Sequence, residues 1–390
     1  VGWYTSFFLR GLMKRFTLVI LTLLLAAGVL FFNIRPKNQL QPWMKEQIKD
    51  DLSFYQPEDL KSKKLKDWFK NANPNQLFVY YQIKDNKVYW ARNWSDNESI
   101  DRVRKTTRMF DRMTKIRKFP DMEFLLTIHD AINSPEAQQQ LIPLFTYAKT
   151  ETEPGVLIPD PLTEGFSRRS RRSISKANKR PKYAWKNKVE IAFWRGGTTG
   201  NGPYQLDNWF NHPRSKLALL TKYYPDLIDS GFTTFAGVDA LVKQEMENNL
   251  SPVSWTVHKD HLKYKYLVVP DGNTCTYPRY YLGLYSNSAV IKQDSDQIQW
   301  FYRALKPYVH YLPVASDFCN LPEQIQWAQE NDSKMKLISK NASEFVNGNL
   351  LPKHLYAYVE ALLIEYASLQ SEEITLLEDA KPFSSFKEEK

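Results

Sequence analysis

Apolar and polar positions change over along this chain in blocks short enough to read as alternating strands and helices. Residues 264–269 form a β-rich apolar run that breaks on Pro270-Asp271-Gly272-Asn273, a turn signature. Residues 278–286 then predict a helix with Tyr281, Leu282 and Tyr285 on one side, and 289–291 a second small strand. Ser295 is placed to cap a second helix over 297–305. Strand, glycine turn, helix, strand, helix is one unit of a parallel α/β sheet, and its turn lies where such sheets bind ligands.

Upstream, 77–83 and 88–90 predict a β-hairpin through Asp85-Asn86. Residues 98–118 follow as a helix with Val103, Phe110 and Met113 on one stripe. The compact apolar run 124–128 lies between Pro120-Asp121 and His129-Asp130, which predicts a buried strand, and Ser134-Pro135-Glu136 opens a helix. Asp130 thus sits at the carboxyl end of a strand, in the crevice position of an α/β sheet. Read alone, it is better explained as a loop aspartate capping the next turn. Residues 189–194 predict a strand running into Arg195-Gly196-Gly197-Thr198-Thr199-Gly200-Asn201-Gly202. Such a loop lets backbone N–H groups approach phosphate oxygens, although it has neither the G-K-[ST] of a Walker A loop nor G-x-G-x-x-G. Arg214, after Pro213 and before Leu217, Leu219 and Leu220, opens the next helix. Residues 320–323 carry a capping-box pattern, 351–369 a last helix, and the tail from 371 is polar and expected to fray.

The N-terminal region changes the picture. Residues 16–34 contain no charged side chain and are long enough to cross a hydrocarbon core as a helix, with Lys14 and Arg15 before them and Arg35 and Lys37 after. Ala26-Ala27-Gly28 offers a signal-peptide cleavage site, but the apolar run continues beyond it, which favours an uncleaved anchor. Met13-Lys14-Arg15 resembles a natural start, making 1–12 an extension. Residues 35–75 are polar, Lys-rich and punctuated by Pro42, Pro57 and Pro74, as in a stem with short helices. Two cysteines, Cys275 and Cys319, are too few for a disulfide scaffold, show no metal-ligand spacing and read as plain buried thiols. Asn-x-Ser sequons at Asn93, Asn97, Asn249, Asn331 and Asn341 are too short a pattern to carry weight. The formal net charge is +10, and residues 167–182 nearly account for it, with eight basic side chains and no acidic one. A solvated basic loop is the ordinary explanation. A nucleic-acid patch is disfavoured, because no aromatic interleaving or binding module accompanies it. Attraction to anionic lipid or to a phosphorylated glycan acceptor is the third option.

Several of these pieces in order resemble glycosyltransferase family 90: K-Y-K-Y-L at 263–267, the Asp271-Gly272 turn, and W-F-Y-x-x-L-K-P-x-V-H-Y-x-P-V at 300–314. The family includes fungal capsule-associated proteins, bacterial lipopolysaccharide glycosyltransferases and animal protein O-glucosyltransferases. The resemblance covers roughly 76–365. It implies two facing Rossmann-like domains of the GT-B type, an acceptor-side domain over 76–182 and a nucleotide-sugar domain over 183–350, with 351–390 as a C-terminal helix and tail. It also implies a catalytic aspartate at the end of the P-D-M-E segment, which is Asp130 here, and a nucleotide-sugar loop at Arg195, Gly196 and Gly197, with Arg214 opening the following helix. Asp271, Gly272, Asn273 and Thr274 fall in the family's small-residue patch. An arginine usual there aligns with Pro278, and Arg279 comes one residue later.

The implied activity is inverting, metal-independent transfer from a UDP-sugar, with no other cofactor, to a hydroxyl of a surface glycan such as lipopolysaccharide. Asp294-Ser295-Asp296 matches D-x-D, but the expected helix cap accounts for both acids. Asp130 is then the base, and Arg195 and Arg214 neutralise the diphosphate. The alternatives are a protein O-glycosyltransferase of the secretory lumen and a non-catalytic glycan binder. Scarce cysteines and a cytosolic sugar-nucleotide supply place the body on the cytoplasmic face of a bacterial inner membrane. The basic residues flanking 16–34 support the opposite orientation nearly as well.

Overall fold

The computed structural model describes residues 40–387 except 96–98, 133, 201 and 251. The expected anchor at 16–34 and the extension at 1–12 lie outside the described residues. Among those described, no helix is long and apolar enough to cross a membrane.

Two helices come first, α1 (Pro42–Leu52) and α2 (Ser62–Asn71), within the segment read as a stem. Met44, Ile48 and Leu52 of α1 are buried, and Asp51 forms a 2.7 Å buried ion pair with Lys149. The hairpin follows as β1 (Phe78–Lys84) and β2 (Lys87–Arg92). Its turn residues Asp85 and Asn86 both have positive φ, 51° and 58°, the twist that joins antiparallel strands most tightly. Next come α3 (Ile100–Thr114), β3 (Met122–Thr127) and α4 (Pro135–Gln139), whose first turn is capped by the Ser134 hydroxyl accepting from the Ala137 N–H. The short strands β4 (Leu144–Thr146), β5 (Lys149–Thr150) and β6 (Val156–Leu157) complete this half, and α5 (Pro161–Asn178) leaves it.

The second half runs β7 (Val189–Gly197), α6 (Pro213–Tyr223), β8 (Ile228–Thr234), α7 (Ala240–Asn249), α8 (His258–His261), β9 (Tyr264–Val269), α9 (Tyr277–Tyr285), β10 (Ala289–Gln293), β11 (Gln297–Ile298) and β12 (Leu312–Val314). Three helices, α10 (Leu321–Glu330), α11 (Asp332–Asn349) and α12 (Pro352–Ser368), and the short strand β13 (Lys381–Pro382) end the chain.

These elements give a mixed α/β fold with two principal sheets. One has the order β13-β2-β1-β3-β4-β6, antiparallel as far as β3 and parallel beyond it. The other, β12-β10-β9-β7-β8, is parallel throughout. Both faces of that sheet are covered: on one, Trp194, Tyr266, Val268, Ile291 and Leu312 share a core with Leu217, Leu321 and Ile325 of the helices, and on the other Leu267, Val269 and Val290 are buried, with Gly283 of α9 against Val269 and Val290. Double burial is why these strands read as continuous apolar runs. Taken in chain order its strands lie 2-1-3-4-5, so the direction of winding reverses between β7 and β9. In open α/β sheets that reversal opens a ligand crevice at the carboxyl ends of the two strands. A two-stranded ribbon, β5 with β11, ties one half to the other, and the residues from Gln41 onward pack as one compact unit.

Several expectations are corrected. No helix spans 297–305: Gln297–Ile298 pairs with β5, and only Tyr302–Ala304 makes a 3-10 turn. Trp300 and Phe301 are both 1% exposed and pack without a helix of their own. The 167–182 segment is not a loop, because α5 runs through most of it. Asp160 caps α5 by accepting from the Thr163 N–H, Pro161 opens it, and Ile174 and Ala177 bury a stripe while arginine and lysine favour the helix elsewhere. The capping box at 320–323 is absent, since the Asn320 Oδ1 accepts from the Ala315 N–H instead. Cys319 is exposed, while Cys275 is buried as expected. The tail does not fray over its described length: Ile374 is buried, β13 pairs with β2, and Phe386 stacks on Trp90 at 4.5 Å.

Candidate active site

The crevice at the end of β7 and β9 gathers most of the residues singled out in the sequence. β7 runs further than expected and takes Arg195, Gly196 and Gly197 into the strand. Side chains alternate along it, so Trp194 and Arg195 face opposite ways. Arg214 lies on the Trp194 side, its guanidinium 5.7 Å from the ring centroid. Arg195 lies over Phe193 on the other side, and its guanidinium is held by Asp229 of β8 at 2.6 Å. The expected Arg195–Arg214 pair is therefore not what converges here.

Arg214 and Arg279 converge instead. Arg214 Nε donates to the Asp271 carbonyl at 2.8 Å and Nη1 to the Gly197 carbonyl at 2.9 Å and to the Thr199 hydroxyl. Arg279 Nη1 donates to the Arg195 carbonyl, two residues back on the same strand. Each arginine stands in the first turn of a helix, α6 and α9, so the positive ends of both helix dipoles point into this region. Among the described residues neither guanidinium has a carboxylate ion-pair partner. Burial pushes Arg279 down to about 10, and the charge of Arg214 adds to that. Burial lowers Arg214 as well, with Tyr204 and Asp271 opposing. His261, on the far side of Arg279, is driven to about 4 by burial and by the arginine, so it is neutral at physiological pH. Two adjacent, half-buried cations with no carboxylate ion-pair partner among the described residues make a site whose electrostatics improve when an anion enters.

The loop after β9 forms the floor. Asp271 turns back into the scaffold, its carboxylate 2.9 Å from Lys292 and its N–H on Gln293. A Cβ on Gly272 would approach Arg214 Nη2 to 3.1 Å, so glycine leaves room for the guanidinium. Asn273 is the hinge between the halves: its Oδ1 accepts from the Gly200 N–H and its Nδ2 donates to Asp130 Oδ2, both at 3.0 Å. The Thr274 and Tyr277 hydroxyls both donate to the Asp130 carbonyl. Asp130 follows β3 of the other sheet, as expected, and its Oδ1 is 3.0 Å from Arg102 Nη1. The carboxylate is thus fixed by one partner from each half and remains about one-third exposed, at 34%.

Arg102 carries no mark in the sequence beyond belonging to an arginine-rich helix. Only the fold shows that it holds both Asp130 and the Ile128 carbonyl, over the face of Tyr147. Burial works against its charge, but Tyr147, Asp130 and Asp160 outweigh that and hold the guanidinium above its ordinary value. Tyr204 and His212, stacked at 3.9 Å, were missed likewise; His212 Nδ1 meets the Gly200 carbonyl and steadies the glycine loop.

Gly200 has φ +114°, and a Cβ there would lie 2.7 Å from the Gly272 carbonyl oxygen. Gly200→Ala forces the loop off Asn273. At about 1–2 kcal/mol for an L-residue in left-handed backbone, the crevice's affinity for an anionic probe is expected to fall roughly 5–30-fold, as read by titration calorimetry with UDP as the probe. Unchanged affinity would detach this loop from the site.

A cavity of about 460 Å³ adjoins this floor, lined by Gly272, Asn273, Thr274, Asp294 and Asp296 among others. With no helix at 297–305, Asp294 and Asp296 are not capping residues, and Ser295 Oγ accepts from the Gln297 N–H in a simple turn. Among the described residues no group of three or more His, Cys, Asp or Glu side chains gathers as a metal cluster would.

Comparison with known proteins identifies a family. The chain matches glycosyl transferase family 90 over residues 37–385. It is 28% identical to mouse protein O-glucosyltransferase 3 over 313 residues, 75% of this chain and 56% of that protein. It is 27% identical to zebrafish protein O-glucosyltransferase 2 over 342 residues, 86% of this chain and 64% of that one. Human protein O-glucosyltransferase 1 is 26% identical over 313 residues, 77% and 74% of the two chains. The chain thus spans only about three-fifths of the first two relatives' length. On this match, the chain belongs to glycosyl transferase family 90.

Proposed function

We propose that this chain is an inverting glycosyltransferase that moves a sugar from a UDP-sugar to a hydroxyl of a cell-surface glycan such as lipopolysaccharide. One observation carries the reading: a carboxylate from one sheet, Asp130, is tied through Asn273 to the glycine loop beside two arginines that have no carboxylate ion-pair partner among the described residues. Transfer from a nucleoside diphosphate needs a base for the acceptor hydroxyl and positive charge for the departing diphosphate. Asp130 is the base. Arg214 and Arg279, with the helix ends of α6 and α9 behind them, receive the diphosphate. Arg195, bound to Asp229, supports the strand, and its carbonyl orients Arg279. The two sheets are read as the facing halves of a GT-B enzyme, with the acceptor on the side of β3 and the donor at the β7/β9 crevice.

The arginine pair supplies the charge a metal would otherwise provide, so transfer is metal-independent in this reading. Residues 16–34 tether the body to a bacterial inner membrane, on its cytoplasmic face. A second reading, transfer to a protein hydroxyl, is favoured by the names of the relatives, which are protein O-glucosyltransferases.

The test is a panel of nucleotide sugars offered to the full chain with lipopolysaccharide or a folded protein acceptor, with and without EDTA. UDP-sugar turnover that survives chelation is expected. Loss of activity on chelation, restored by manganese, would overturn the metal-free mechanism and turn attention to Asp294 and Asp296. Labelling of the protein acceptor alone would select the second reading.

A further inference from the structure

A second, larger cavity of about 680 Å³ lies beside the active site and has no part in the mechanism above. The end of α1 and the β5 region form one wall, and residues 292–313 form the other. Gln293, Asp294, Ser295 and Gln297 line both this cavity and the smaller one at the Gly272–Thr274 floor, so the two spaces share a partition.

The chemistry of its lining limits what it can hold. Its three cationic side chains are already neutralised: Lys149 by Asp51 at 2.7 Å, Lys292 by Asp271 at 2.9 Å and Arg303 by Asp50 at 2.7 Å. A phosphate or other anion entering here would gain no free counter-charge. What remains unmatched is hydrogen-bond acceptors. Gln297 Oε1 is buried with no partner among the described residues, and the Glu151 and Asp294 carboxylates form no ion pair among them. Glu151 and Asp294 are exposed, but a buried acceptor such as Gln297 Oε1 without a donor is costly, and a ligand rich in neutral O–H groups relieves that cost. Phe54, Tyr280, Tyr302 and Tyr311 add aromatic surface to the same lining, with Tyr280 edge-on to the other two tyrosines. Uncharged hydroxyls in number, set against flat apolar faces, describe a saccharide.

We infer that this cavity is an acceptor-side saccharide site, holding the neutral sugar units that precede the hydroxyl to be glycosylated. The inference rests on the proposed transferase reading and sharpens it, since it makes the acceptor a glycan chain. A chain seated here continues across the Gln293–Gln297 partition towards Asn273 and Asp130.

Saturation-transfer NMR on the full chain, with maltose, cellobiose and gentiobiose as probes and UDP titrated separately, tests it. At least one disaccharide is expected to give a signal. Ser53→Trp narrows the mouth from an exposed helix-end position, and Phe54→Ala removes an aromatic face. Each is expected to weaken the disaccharide signal about five-fold or more, with the UDP affinity unchanged. UDP binding without any disaccharide signal, or a signal undiminished in both variants, overturns the cavity assignment alone. Failure of UDP itself to bind the native chain would instead strike at the transferase reading.

Discussion

Asp130→Asn is expected to lower turnover by about 10²–10⁴-fold, the usual contribution of a positioned general base. The geometry also says what should survive. Neither carboxylate oxygen touches Arg214 or Arg279; one is bound by Arg102 and the other by Asn273. UDP affinity should therefore stay within a few-fold of the native value, because only the acceptor's proton loses its destination. Some loss is expected all the same. The new amide group must face a donor on one side, and if the Asn273 amide flips to receive it, the Gly200 N–H loses its acceptor. A pre-steady-state measurement with saturating donor separates the two effects. Turnover preserved in Asp130→Asn would remove Asp130 from the chemistry altogether.

Arg214→Ala and Arg279→Ala are expected to carry the second large effect, on the donor rather than on the acceptor. A charge-assisted hydrogen bond is worth about 1.5–3 kcal/mol, so each variant should weaken UDP binding roughly 10–150-fold. The two differ in what they leave behind. Arg214 ties the Asp271 and Gly197 carbonyls together, so its loss also loosens the floor under the glycine loop. Among the described residues Arg279 makes one hydrogen bond, to a backbone carbonyl, and its removal relieves the repulsion it shares with Arg214. Arg279→Ala should accordingly leave the fold as stable as before or more so. Arg195→Ala supplies the contrast: it breaks the ion pair with Asp229 and should cost stability while changing UDP affinity little. A loss of UDP affinity in Arg195→Ala equal to that in Arg214→Ala would restore Arg195 to the diphosphate site.

Much of this was legible along the chain because the signals are local. The hairpin at Asp85-Asn86, the strand before Asp130, the Ser134 cap and the strand–turn–helix from 264 to 285 each follow from a few neighbouring residues. Backbone preference and burial agree at those points. The expected helix at 297–305 failed because its cap and composition were local too, whereas the outcome was settled by distant partners. Trp300 packs on Tyr358 at 4.7 Å and on Trp43 at 5.6 Å, and Gln297 is drawn into a ribbon with Thr150. The basic stretch is helical rather than a loop because Phe166, Ile174 and Ala177 recur at helical spacing beneath its charges, a sparse stripe that eight basic side chains outnumber along the chain.

By itself the sequence determined that the fold mixes α and β, several of its strands and helices, and the short stretches from which a site is built. Periodicity and turn chemistry act over a few residues and need no tertiary context. The pairing of sites was decided only in three dimensions. Strand order 2-1-3-4-5 puts the ends of β7 and β9 side by side, and alternation along β7 sends Arg195 to the face opposite Trp194, beside which Arg214 of α6 lies. Arg279, a residue late in register, thereby becomes the second cation. Arg102, 28 residues before Asp130, becomes its ion-pair partner. Which charged groups meet depends on strand order and on which face of an element each side chain leaves. A single chain read in one dimension carries neither.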